Sequence, residues 1–379
     1  MINKLEKDIR EQIKQMTINC PKLIHYSCQE LLTWITGKPY RNQQLLIEQT
    51  PLRCLILALC ELALGTMVSI TILKSYPVFF PLLSLSFLLT VGGARIIETT
   101  IIHQGVHLNF WRYNPMENRV LVECLSTIIG TENFDGYYLN HVRKHHNRKV
   151  FGTINDPAFK LISKLGFYPG RSKKKYWQCL MKSILSPSFH LSLLKERLIS
   201  NFVTCPLYRR VMSTIWITGC LSFVLATGNL VIFSIVWVFP LTLLHNISAL
   251  LHALTEHIWG YEDNELSAQV IYLARTCGRF SAESPPSTRL VENPLSWLIW
   301  FSKLIFIHLP VRLGCWVGEV PEHDYHHRHS HDKNWANGAY ARQRELEANC
   351  SGFYEPYTEV WGIFAAIERV FETLSRAAV

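Results

Sequence analysis

The chain has 379 residues, a formal net charge of +9, 49% hydrophobic residues and a mean hydropathy of +0.10. That length suits two soluble domains or one membrane protein, and charge nearly absent from long stretches but dense elsewhere favours the second. The basic residues form no recognised nucleic-acid motif, so the partner read from them is a membrane surface and not a nucleic acid.

Residues 1–53 open on mixed charge, Met1-Ile-Asn-Lys-Leu-Glu-Lys-Asp8, without the basic-then-apolar layout of a cleaved signal peptide. They are read as a cytosolic or interfacial segment. A first apolar run covers about Cys54 to Leu73. Pro77 breaks it, and a second covers about Val78 to Ala94. Glu61 is a possible carboxylate inside the first. A third run covers about Val211 to Ala226, and after a short Thr-Gly-Asn turn a fourth covers about Leu230 to Leu251. Each approaches the roughly 20 residues a bilayer crossing requires. They predict an all-α integral membrane protein with four transmembrane helices in two hairpins.

Positive charge sets the sides. Residues 1–53 hold eight Lys and Arg, and residues 98–210 hold seventeen, whereas the turns inside the two hairpins hold Lys74 and none. Both termini and the long loops are therefore expected on the cytoplasmic face. The run Leu295 to Leu309 is interrupted by Lys303 and stopped by Pro310, and reads as an interfacial helix. Near the end, Val360, Ile363, Phe364, Ile367, Val370, Phe371 and Leu374 repeat at helical spacing and predict a packing face. Residues 54–335 are then expected to form the membrane domain, with 336–379 a C-terminal cytosolic helical segment. Eleven cysteines stand singly, Cys350 the last of them, with no CxxC, so reduced thiols are expected.

Three histidine clusters lie in the cytoplasmic parts: His103-Gln-Gly-Val-His107, His141-Val-Arg-Lys-His145-His146 and His323-Asp-Tyr-His326-His327. They hold eight of the sixteen histidines. A structural zinc takes four ligands, so eight imidazoles point to two metal ions held close together in a cytosolic helical cap. On an α-helix, residues three and four apart share a face. His103 thus pairs with His107, His141 with His145 (His146 turned by one residue), and His323 with both His326 and His327. His245, His252 and His257 run down the fourth span, and His257 at its mouth is placed as a ninth ligand. His25, His190 and His308 read as ordinary histidines, and His329 and His331 as surface or supporting residues. Glu98, Asp135, Asp156, Glu256, Glu319, Glu322 and Asp324 are candidates to orient the rings. Imidazole suits iron, copper, nickel and zinc, so ligand type leaves the metal open.

These residues resemble the membrane fatty acid desaturase and hydroxylase superfamily, whose hallmark is three histidine boxes of the form HX3–4H, HX2–3HH and HX2–3HH. The stretch Asn118-Arg-Val-Leu-Val-Glu-Cys after the first box, Asp156-Pro157 after the second and Thr255-Glu-His257-Ile-Trp-Gly260 after the fourth span are similar to family segments. The resemblance implies two iron ions in a non-haem centre that uses O2 and two electrons to attack an unactivated C–H bond. It implies metal binding by His103, His107, His141, His145, His146, His323, His326 and His327, and by His257. The expected activity is desaturation of a lipid acyl chain. A hydroxylase or ketolase of the same superfamily, acting on an alkane, acyl chain or carotenoid, is the alternative. Two features depart from parts of the family: Ala253 stands where some acyl-CoA desaturases have Asn, and the third box ends His326-His327-Arg-His-Ser-His. No dinucleotide-binding or haem-binding appendage is visible, so electrons are expected from a separate ferredoxin or cytochrome b5-type protein with its reductase. A non-catalytic transporter or haem subunit fits less well: a transporter places ionisable ligands near the bilayer midplane, and haem takes single axial histidines.

Overall fold

The structure is a computed structural model that describes residues 8–111, 114–261, 265–349, 353 and 356–377. It is mostly helical. Among the described residues four helices are long and apolar enough to cross a membrane: Pro51–Ser75, Pro77–Val106, Leu230–Thr255 and Pro294–Gly314. They leave large apolar side chains exposed, among them Leu57, Leu64, Met67, Val231 and Phe306. Contiguous apolar surface of that kind has no place against water, and it fits an integral membrane protein.

Small residues let the first two of these helices touch along their length. A Cβ on Gly65 would lie 2.5 Å from the backbone nitrogen of Thr90, and one on Gly93 would lie 2.4 Å from that of Leu62. Ser69 and Ser86 share a hydroxyl hydrogen bond at 2.8 Å. In a bilayer, where apolar burial gives little advantage, such backbone approach and polar pairing hold helices together.

Two segments differ from the sequence expectation. Leu207–Ala226 is a helix of 20 residues, as expected of the third run, but it is not among the four. Its first turn carries Arg209 and Arg210, and Arg209 is wholly buried against Glu123 at 2.8 Å. Conversely, Pro294–Gly314 continues through both residues expected to limit it. Lys303 is paired with Glu283 at 2.7 Å, and a π-helical turn, Leu304–His308, adjusts the backbone just before Pro310.

A two-stranded parallel sheet is the exception to the expected all-α fold. Strand β1 (Gly278–Phe280) pairs with β2 (Glu359–Trp361), Arg279 opposite Val360. Beyond β2 the helix Ile363–Arg376 buries Ile363, Ala366, Ile367, Val370, Phe371 and Leu374. Phe364, which the helical spacing assigns to that face, is instead 57% exposed, while Val360 lies in the strand. The apolar face joins Trp259, Trp316, Phe167 and Tyr176 in the largest core cluster. The ten described cysteines are free; Cys350 lies outside the described residues.

Candidate metal centre

The histidines that the sequence singled out converge from four places in the chain, the three boxes and His257. Among the described residues two groups form, and within each, one ring nitrogen from every histidine lies within 4.8 Å of the others. One contains His103, His107, His141, His146 and His326; the other contains His145, His257, His323 and His327. Eight of the nine side chains are buried, and His146 is partly so.

The second box does not divide as α-helical spacing predicts. Tyr138–His145 is π-helical, and the backbone N–H of His146 donates to the carbonyl of His141 at 3.0 Å. A hydrogen bond spanning five residues turns His146, rather than His145, onto the face of His141. Their Nε2 atoms are 3.1 Å apart, and His145 reaches the other group. In the third box the expected α-helical pair His323 and His327 holds, at 3.1 Å, while His326 turns to the five-histidine group.

The Nε2 separations test whether a metal fits. For a metal–nitrogen bond of about 2.1 Å, donors at right angles lie about 3.0 Å apart. His145 and His257 are separated by 3.0 Å, His326 and His107 by 3.2 Å, and His326 and His146 by 3.3 Å. His103 Nε2 is buried with no hydrogen-bond partner, as a nitrogen whose lone pair faces an ion would be. Nitrogen-only donors at these spacings fit a pair of transition-metal ions.

Neighbouring groups fix the rings through Nδ1. Asp156 approaches His145 Nδ1 at 3.0 and 3.1 Å, and also accepts from the backbone N–H of Gly152 and Ala158. Glu319 approaches His103 Nδ1 at 2.7 Å and accepts from Gln104 Nε2 at 2.7 Å. The Tyr272 hydroxyl is 2.6 Å from His327 Nδ1 and 3.3 Å from His146 Nδ1, so one phenol spans both groups. Such partners set the tautomer in which Nε2 is free to bind. Of the seven carboxylates named from sequence, Asp156, Glu319 and Glu256 touch grouped histidines; Glu256 Oε1 is 3.2 Å from His323 Nε2. Glu98 pairs with Arg95 and His245, Asp135 with Arg119, and Asp324 with Arg342. Glu322 is buried, and burial, reinforced by the charge of Glu319, pushes it up to about 8.

Electrostatics favour neutral rings. Burial, then the charges of neighbouring histidines, hold His107, His141, His146 and His326 well below the usual imidazole range. His257 and His327 are lowered chiefly by burial as well. For His323 burial outweighs the opposing pull of Glu256 and leaves it at about 3. At His145 burial is opposed and outweighed by Asp156, which raises it. Neutral imidazole is the form a metal takes.

Among the other histidines, His25 contacts Thr17, His190 contacts the carbonyl of Ile184, and His329 pairs with Glu345. His245 lies 2.6 Å from Arg197, and His252 lies 3.5 Å from Glu256. His308 is buried near Glu283. Neither these nor His331 belongs to a group. Sequence reasoning missed Tyr272 and Gln104. Gln104 sits inside the first box and could have been weighed there, whereas nothing in the sequence around Tyr272 marks it.

No protein-family model matches this chain, and no curated protein matches it by sequence.

Proposed function

We propose that the chain is an O2-dependent di-iron membrane oxidoreductase, a fatty acid desaturase that introduces a double bond into a lipid acyl chain. The observation that carries this reading is the convergence of nine histidines, five and four, into two adjoining nitrogen-lined groups. His103, His107, His141, His146 and His326 would hold one iron, and His145, His257, His323 and His327 the other. When bound, such a pair supplies the O2 activation that removing hydrogen from an unactivated carbon requires. In the overall balance, O2 takes two hydrogens from the chain and two electrons and two protons from outside, leaving two waters and a double bond. The electrons come from a separate ferredoxin or cytochrome b5-type donor with its reductase.

The protein's own contribution is orientation and dryness. Asp156, Glu319 and Tyr272 hold the rings. Phe151 lies against His145, His257 and His327, with ring centres 4.6 to 5.2 Å away, and Trp259 closes on His257 at 5.0 Å. An apolar wall there keeps water from the reacting carbon. A largely apolar cavity of about 300 Å³ lies between the segments 127–130, 194–202, 213–221 and 233–242, at the small end of the range for ligand sites. Its lining suits an acyl chain, although none of the nine histidines borders it.

The parity of crossings supports the two-hairpin arrangement. His146 and His257 approach the same centre, so the chain between them crosses the bilayer an even number of times. Leu207–Ala226 and Leu230–Thr255 together satisfy that. His257 and His323 also meet there (ring centres 5.4 Å apart), which supports reading Pro294–Gly314, alone between them, as an interfacial helix. The basic 98–210 segment supports a cytoplasmic centre and cytoplasmic termini.

Expression in a host of known lipid composition, with mass spectrometry of its fatty acids, tests the reading. A species with two hydrogens fewer is expected, and it disappears in His145→Ala and in His326→Ala. A gain of one oxygen selects the hydroxylase alternative. Product surviving both substitutions overturns the metal-site assignment.

A further inference from the structure

The two histidine groups are unequal, five nitrogens against four, and a carboxylate stands beside the smaller one. Glu256 follows the last residue of the helix His245–Thr255 and directly precedes His257. Its Oε1 lies 3.2 Å from His323 Nε2, 3.9 Å from His257 Nε2 and 3.5 Å from His252 Nε2. The first of these distances falls in the same range as the Nε2 separations within the groups. Glu256 does not belong to the four-histidine group but lies near two of its members, His323 and His257.

The 3.2 Å approach of Glu256 to a nitrogen of the group is the contact to explain. A ring nitrogen that binds a metal carries no hydrogen and cannot donate one to Glu256. With His323 Nε2 facing an ion, a carboxylate oxygen at 3.2 Å would meet lone pair with lone pair unless the same cation lay between them. His252 belongs to neither group, and its Nε2 faces Glu256 from one turn earlier in the helix, where an N–H would steer the carboxylate. Ala253, between them in sequence, offers no donor atom.

Resting on the two-metal reading above, we propose that Glu256 supplies the oxygen donor of the ion held by His145, His257, His323 and His327, directly or through one bound water, with His252 as its positioning residue. The centre is then chemically asymmetric. One ion has five neutral nitrogens; the other has four nitrogens and an anionic oxygen, a harder donor that favours the higher oxidation state of that ion.

Titration of the metal-free, detergent-solubilised full chain with Co2+ tests this, because the visible absorption of Co2+ reports its donor atoms. Wild type is expected to take up two equivalents. Glu256→Ala should keep the first at wild-type affinity, which also shows that the variant is folded, and bind the second at least tenfold more weakly. Glu256→Gln, of the same shape, should bind two with the spectrum of the second shifted. His252→Ala should weaken the second ion less than Glu256→Ala does. Two Co2+ ions bound with wild-type affinity and spectrum in both Glu256 variants would overturn the proposal and leave the two-metal reading intact. Fewer than two in wild type would overturn that reading, and this proposal with it.

Discussion

His141 and His146 are five residues apart and share one candidate metal position: their Nε2 atoms are 3.1 Å apart, and the backbone between them closes with a 3.0 Å hydrogen bond from His146 N–H to His141 C=O. His145, one residue nearer, faces His257 in the other group at 3.0 Å. Adjacent residues therefore belong to different groups. In a metal titration His146→Ala should weaken the five-histidine position and leave the four-histidine one, and His145→Ala should do the reverse. Equal loss of both ions in both variants would refute the division.

Asp156 carries three loads: His145 Nδ1, the backbone of Gly152, and the N-cap of the helix Pro157–Lys164. Asp156→Ala should lower affinity for the four-histidine ion by roughly 10- to 100-fold. Lost capping should also cost about 1 kcal/mol of stability. Competition with a chromogenic chelator and a thermal melt separate the two effects. Asp156→Asn can still accept through its side-chain oxygen and should fall between wild type and Ala.

Arg342 anchors the third box from behind. Its guanidinium binds both oxygens of Asp324 at 2.8 Å and Glu359 at 2.9 Å, and Lys38 binds Glu359 at 2.7 Å. Arg342 and Asp324 are each 1% exposed, so removing one partner strands buried charge. Arg342→Ala should cost about 3–5 kcal/mol, read as a lower unfolding midpoint, and should release metal because Asp324 lies between His323 and His326. Arg342→Lys keeps the charge without the fork and should be intermediate. A melt unchanged in Arg342→Ala would show that the network contributes nothing.

Much of this centre is legible in the sequence because its information is local. Clusters of histidine within six residues leave little else for them to do, and His257 is marked by its place at the end of an apolar run. The division of histidines between the groups was not legible. It depends on a π-helical turn at Tyr138–His145, which no spacing rule announces and which converts an expected four-residue pairing into a five-residue one. Tyr272 and Arg342 were not legible either, since each acts across more than fifteen residues with no pattern around it. The pairing of β1 with β2 is similar: three-residue strands with the helix Pro294–Gly314, the whole third box and the helix Gly338–Ala348 between them. For the membrane segments, hydropathy separates Leu207–Ala226 poorly from Pro294–Gly314, and the convergence of histidines on one centre does more than composition to order them.

Stability of the metal-free protein should depend on pH. His107, His141, His146, His257, His323, His326 and His327 are all lowered in the folded chain, burial being the main cause. Below about pH 6.5 the unfolded chain takes up protons that the folded one refuses, so stability present above that pH is lost as the pH falls. His145 is raised and runs the opposite way, one group against seven. Chelator-treated protein should melt several degrees lower at pH 5.5 than at pH 7.5, and reloading with metal should flatten the dependence. A pH-independent melt of the chelator-treated protein would contradict the neutral, buried set.

The central claim is a centre of two irons held by histidine, and the most direct measurement is the iron content of the full chain purified without oxygen or added chelator. Two iron ions per chain are predicted. A chain that carries zinc alone, or no more than one metal ion, would contradict the account.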